Sequence, residues 1–146
     1  MTRPFTFALQ RVLDYRGQLE EQAKMALAKA QHAYTKQVEL VQEMRDALER
    51  HEESLYDNEP SPQEMWLWRN YKARLVQELQ EADRRLLELA QMVNRCRREA
   101  VFRSKDRKLL EKLKTKQKIR HDEEEELREQ KEFDEAATLR YRPQDL

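Results

Sequence analysis

The residue types that most often form catalytic or metal sites are few in this chain, and their spacing does not bring them together. The histidines His32, His51 and His121 lie far apart, without the short spacing that brings metal ligands together on one helix face. The single cysteine, Cys96, falls at an apolar heptad position, where we expect it to pack rather than react. The consecutive carboxylates at 123–126 point in different directions on a helix and would hold a cation only weakly. The sequence therefore predicts no catalytic, metal or cofactor site, and we expect a protein that is not an enzyme.

The composition favours long helices over a globular domain. Glycine occurs once and proline four times in 146 residues, while 40% of the side chains are charged. Because glycine and proline are the main helix breakers and charged residues cannot fill a thick core, the apolar residues must lie along narrow helical stripes. No apolar run approaches the roughly 20 residues that span a bilayer. We expect a single all-α domain over residues 1–146, cytoplasmic and without direct membrane insertion.

Two helices and one interior turn account for the sequence pattern. The first helix is expected over about 5–56, the turn over about 57–61 and the second helix over about 62–140. Ser61 and Glu64 have the spacing of a capping box, and Pro62 suits the first helical position. A turn this short makes the helices antiparallel, which predicts a long antiparallel two-helix coiled coil (an α-hairpin).

The apolar stripes recur at three- and four-residue steps and define the expected interface. The register places Phe5 near Lys114, so the longer C-terminal helix is expected to overhang after about residue 115. Arg103 and Arg107 interrupt the second stripe, and repulsion from Arg16 predicts that the hairpin is loosest there. The stripe of the first helix comprises Leu9, Val12, Leu19, Ala23, Ala26, Ala30, Ala33, Leu40 and Met44; that of the second comprises Trp68, Tyr71, Leu75, Leu79, Ala82, Leu86, Leu89, Val93, Cys96 and Ala100.

Charge is balanced over the chain but not along it. Residues 95–120 contain twelve Lys or Arg against three acids, a net of +9, and residues 122–135 contain nine acids against two bases, a net of −7. Such blocks are consistent either with solvated helix faces or with electrostatic docking to a partner. A basic helix within a hairpin, followed at once by an acidic block, is unlike a DNA-binding zipper, so no nucleic acid partner is expected.

Three aromatic residues crowd the start of the second helix. Trp66, Trp68 and Tyr71 cannot all face a two-helix interface. Packing around the turn accounts for one or two of them, and an exposed docking patch accounts for the rest, since Trp and Tyr are favoured interface anchors. Trp66 is the candidate for the exposed position.

Specific motifs resemble the FliJ family of flagellar protein-export components. They are F-T-F-A-L-Q-R-V-L-D-Y-R at 5–16 with Glu20 and Glu21, the alanine stripe, W-R-N-Y at 68–71, L-E-K-L-K at 110–114 and E-Q-K-E-F-D-E-A-A at 129–137. The last motif is the most specific, because coiled-coil heptads look alike in unrelated proteins. The resemblance covers nearly the whole chain.

The resemblance implies a non-enzymatic stalk or adaptor of the flagellar type III export apparatus. The implied partners are the hexameric export ATPase and the cytoplasmic domain of the membrane export gate, with export chaperones as further partners, and the implied location is the inner face of the cell membrane. Carried over by position, the ATPase-binding residues would be Phe5, Leu9, Arg16, Glu129, Lys131, Glu132, Asp134 and Glu135. The gate-binding residues would be Leu48, Tyr56, Trp66, Trp68, Asn70 and Tyr71. The alternatives are a general export chaperone or escort, or the equivalent stalk of a virulence-type secretion system.

Overall fold

The computed structural model describes residues 3–56 and 59–141. Helix α1 spans Gln10–Glu53 and is followed by one 3-10 turn, Ser54–Tyr56, and helix α2 spans Pro62–Arg140. The fold is an all-α helical hairpin whose second helix is the longer, which confirms the predicted fold class. Among the described helices, none carries an apolar stretch long enough to cross a membrane.

The first helix begins later than the heptad pattern predicts. Residues 3–9 are not helical, and the Gln10 N–H donates to the Phe7 carbonyl at 3.1 Å to form the turn that starts α1. Pro4 favours an extended chain at this point, and an extended chain advances further per residue than a helix does. Phe5 consequently lies beside His121, with 5.6 Å between ring centroids, rather than beside Lys114 as the helical register predicts.

The start of α2 follows the capping-box prediction. The Glu64 N–H donates to the Ser61 hydroxyl at 3.3 Å, and the Ser61 N–H donates to the Glu64 carboxylate at the same distance. Pro62, the first helical residue, has no N–H to leave unpaired. The predicted turn residues 57 and 58 lie outside the described part of the chain.

The contacts divide the chain into two compact units. The turn unit is Glu21–Phe102, and the terminal unit combines Met1–Glu20 with Arg103–Leu146. In the turn unit the antiparallel helices bury small and branched residues at heptad spacing, and the Gln37 side chain donates to the Ala82 carbonyl at 3.0 Å. The buried apolar residues of this unit are Ala23, Ala30, Val41, Ala82, Leu89, Val93 and Ala100. All of them belong to the predicted stripes, Val41 to the part of the first stripe that drifts away from the strict heptad.

The terminal unit has a smaller apolar core at a shifted position. Phe7, Leu13 and Leu110 are buried together, with Phe5 packed against them. The predicted stripe residues Leu9 and Val12 are instead 39% and 41% exposed. The prediction was wrong here because Leu9 precedes the helix, and because the second interface position of each heptad is 13 and 20, which are buried, rather than 12 and 19.

Candidate docking surfaces

A ladder of ion pairs crosses the helix interface of the terminal unit. Arg16 donates to the Asp106 carbonyl at 2.9 Å and lies 3.4 Å from its carboxylate. Arg107 donates to Glu20 and lies 2.6 Å from Glu111. Hydrogen bonds that Arg107 donates to Glu20, and to a lesser extent to Glu111, raise the pKa of its guanidinium. Acids therefore separate the arginines, and the expected repulsion is offset.

Glu20 is the interface residue that the sequence analysis missed. Its side chain is among the most buried in the terminal unit, at 3% exposure. A buried carboxylate is costly unless it is paired, and Arg107 supplies the partner. Its spacing could have indicated an interface position, because residue 20 lies four residues after Arg16 and three before Ala23. The apolar stripe did not include it because glutamate is charged.

The extended N-terminal segment is held against α2. The His121 ring is bonded to the Arg3 carbonyl at 2.9 Å, and since a carbonyl only accepts, Nε2 carries the proton. Glu125 is buried and accepts a hydrogen bond from Arg128. This bond lowers the pKa of the Glu125 carboxyl, burial acts in the opposite direction, and a bond to the Arg3 backbone lowers the pKa further. Contacts within the chain thus continue to Glu125, beyond the predicted start of the overhang.

The end of α2 is a highly exposed helix. Every residue from 129 to 141 is exposed, including Phe133 at 78% and Leu139 at 87%. The structure places all the sequence-predicted ATPase-binding residues in the terminal unit, although Arg16 is engaged by Asp106 and Phe5 by His121. Five of them lie on the exposed tail: Glu129, Lys131, Glu132, Asp134 and Glu135.

In the turn unit, His51 packs two of the three crowded aromatic residues. The His51 ring stacks on Trp68 at 4.8 Å between centroids and meets Tyr71 edge-on at 4.7 Å. The Trp68 indole donates to the His51 carbonyl at 3.0 Å, and His51 Nε2 donates in return to the Trp68 carbonyl at 2.9 Å. Trp68 is therefore committed to packing, whereas Tyr71 remains 51% exposed.

Trp66 is the outward-facing aromatic residue, as predicted. It is 65% exposed, and its neighbour Leu67 is 60% exposed. Both line a surface groove together with Pro62 and Gln63, so this side of the turn unit exposes an apolar groove that is a candidate docking surface. Of the other sequence-predicted gate residues, Leu48 is half-buried, Asn70 is exposed, and the Tyr56 side chain lies outside the described part of the chain.

The described residues carry candidate binding surfaces. Within residues 3–56 and 59–141, no group of three or more His, Cys, Asp or Glu side chains is arranged to hold a metal ion. Cys96 is a free, half-buried thiol on the interface side of α2. The candidate functional features are thus the charged tail of the terminal unit and the Trp66 groove of the turn unit.

Comparison with known proteins identifies the family. A family model described as the flagellar FliJ protein matches residues 5–145. No curated protein and no solved structure gives a significant match. The family match covers nearly the whole chain and confirms the resemblance drawn from the sequence motifs. The chain therefore belongs to the flagellar FliJ protein family, and its role is related to flagellar protein export.

Proposed function

We propose that this protein is a non-enzymatic stalk or adaptor that binds the hexameric flagellar export ATPase and the cytoplasmic domain of the membrane export gate. The family supports the flagellar export role. The observation that carries the proposal is the exposed charged helix at 129–141. In this role the protein is cytoplasmic, and it meets the inner face of the membrane through the export apparatus.

The tail has the chemistry of a segment that is covered by a partner. Three apolar side chains, Leu127, Phe133 and Leu139, are more than half exposed among closely spaced charges. An isolated charged helix gains little stability from its own contacts, so binding to a partner would order it and bury these side chains. The motif E-Q-K-E-F-D-E-A-A, on which the family resemblance depends most, lies entirely within this exposed segment.

Charge reversal in the tail tests the ATPase interaction. The test variant changes three exposed tail acids, and the control changes three exposed acids of α1 in the turn unit, so both alter the net charge equally. Glutamate and lysine are both good helix formers, so both variants should keep their helices. The test substitutions are Glu129→Lys, Glu132→Lys and Glu135→Lys, and the control substitutions are Glu39→Lys, Glu43→Lys and Glu49→Lys.

The measurement is co-purification with the hexameric export ATPase and stimulation of its ATP turnover. The tail variant is expected to lose both, while the α1 control retains them. Equal binding by the two variants would remove the role assigned to the tail.

The Trp66 groove is the proposed contact for the export gate. A large exposed aromatic side chain beside Leu67 offers an anchor that a partner pocket can desolvate. Trp66→Ala is expected to weaken binding to the isolated gate domain, measured by calorimetry, without changing binding to the ATPase. Leu87→Ala is the matched control, because Leu87 is 63% exposed in the same unit. A gate affinity that is insensitive to Trp66→Ala would exclude this groove as the contact.

A further inference from the structure

The C-terminal part of α2 is basic in its first half and acidic in its second half. Within the terminal unit, residues 103–120 carry nine Lys or Arg against two acids, a net of +7. Residues 122–135 carry nine acids against two bases, a net of −7. The sign changes at His121. A helix of this kind repels a parallel copy of itself and attracts an antiparallel one, because inversion matches each block with its opposite.

The inverted charges share one face of the helix. One face of α2 contacts α1 and the segment before it through Arg107, Leu110, Lys114, His121 and Glu125. At about 100° per residue, the opposite face carries an outward row through residues 105, 109, 112, 116, 119, 123, 127, 130 and 134. Every residue of the outward row is exposed. The hairpin contacts of the terminal unit therefore leave this face uncovered.

The spacing of the outward row is the same from either end. Lys105, Leu109, Lys112 and Lys116 have steps of four, three and four residues, and so do the four positions of the acidic half. The acidic half reads Glu123, Leu127, Gln130 and Asp134. The two halves are related by a point between residues 119 and 120. A twofold axis there places positions 105, 109, 112 and 116 opposite 134, 130, 127 and 123, with opposite charges at the first and last of these four pairs.

We propose that two copies of this chain associate antiparallel through this outward row, with the twofold axis between residues 119 and 120. Lys105 of one copy then lies opposite Asp134 of the second copy, and Lys116 opposite Glu123, each pair occurring twice. Complementary charge fixes the direction and register of the pair, as it does in coiled coils.

Exposed apolar side chains supply the contact area between the charges. Leu109 is 65% exposed, Ile119 54% and Leu127 59%. The two Ile119 side chains lie beside the axis, and Leu127 packs against the Lys112 stem and Leu113 of the second copy. These few side chains limit the apolar stabilisation, so the association depends on charge and therefore on ionic strength.

Self-association does not depend on the proposed function, although the two are connected. The outward row overlaps the tail at Gln130 and Asp134, so a paired copy and the export ATPase would compete for this helix. The dimer is tested on the isolated full-length chain, and ATPase binding is tested by co-purification. Either proposal can therefore fail alone.

Sedimentation equilibrium of the full chain tests the dimer. Two charge-reversed variants are measured first separately and then as a mixture. The expected mass is two chains at low ionic strength, and one chain in about 1 M salt, where the Debye length is about 3 Å. Two variants reverse the two halves of the row separately, and each is expected to have the mass of one chain. The acidic variant carries Lys105→Glu, Lys112→Glu and Lys116→Glu. The basic variant carries Glu123→Lys and Asp134→Lys within the row and Glu126→Lys beside it, so that both variants reverse three charges.

An equimolar mixture of the two variants restores complementary charge and is expected to recover the mass of two chains. Circular dichroism checks that both variants remain helical. One-chain mass of the unmodified protein at low ionic strength would overturn the proposal, as would two-chain mass of either variant alone or a mixture that stays monomeric.

Disulfide trapping tests the position of the axis. With Cys96→Ser as background, Ile119→Cys is expected to form an oxidised dimer readily, because the two positions lie next to each other across the axis. Gln130→Cys is the control, since its twin lies about 20 residues away along the helix in the proposed register. Equal trapping of the two variants, or trapping of Gln130→Cys alone, would contradict the proposed register.

Discussion

Adjacent leucines of α2 offer a matched test of the core of the terminal unit. Leu110 is 7% exposed and packs in the cluster with Phe7 and Leu13, whereas Leu109 is 65% exposed. Leu110→Ala removes three buried carbon atoms at about 0.8 kcal/mol each, which lowers the free energy of unfolding by about 2.4 kcal/mol before any cavity cost. Leu109→Ala removes the same atoms from a mostly solvated site, and in about 1 M salt, where the proposed dimer is dissociated, we expect a change below about 1 kcal/mol.

Urea unfolding followed by circular dichroism measures this difference. With a denaturant dependence of about 2 kcal/mol per M, the Leu110→Ala midpoint should fall by about 1.2 M. Hydrogen exchange should locate the added opening in residues 3–20 and 103–125, because the cluster holds the N-terminal segment against α2. Equal midpoint shifts for the two variants would refute the assigned burial and the position of the heptad seam at Leu13 and Leu110.

Two further predictions concern polar contacts. Trp68→Phe keeps a six-membered aromatic ring but removes the pyrrole ring and its N–H bond to the His51 carbonyl. It should lower stability by at least about 1 kcal/mol in the same urea assay, whereas Trp66→Phe should leave stability unchanged. Glu125→Gln should lower the urea midpoint at pH 7, and the difference from the unmodified protein should disappear on acidification. Arg128 lowers the folded-state pKa of Glu125, so this stabilisation is complete above the ordinary glutamate pKa of about 4.3 and is lost as the pH falls through the folded-state value. An undiminished difference at pH 3 would contradict the assignment.

The capping box and the stripe of α2 were predictable because both depend on local spacing. Ser61 and Glu64 form the predicted reciprocal bonds, and Ala82, Leu89, Val93 and Ala100 are buried as the heptad predicts. These features need only helical geometry and apolar residue types, which the sequence displays directly.

The N-terminal part of α1 was not predictable in the same way. Val12 matches a heptad as well as Leu13 does, and only the packing of Leu13 with Leu110 separates them, whereas Leu9 is excluded because it precedes the helix start at Gln10. Glu20 belongs to the interface because Arg107 lies across from it. Similarly, Phe5 reaches His121 because the chain before Gln10 is extended.

The sequence by itself determined the class of molecule, the helix periodicity, the charge blocks and the family, since these follow from residue types and their spacing along one chain. Tertiary structure decided which polar groups face each other and which aromatic residues remain exposed. The physical reason is that a buried acid such as Glu20 is stable only beside a cation brought from a distant part of the chain. In the same way, His51 selects Trp68 for packing and leaves Trp66 in solvent, an outcome that depends on the pairing of the two helices.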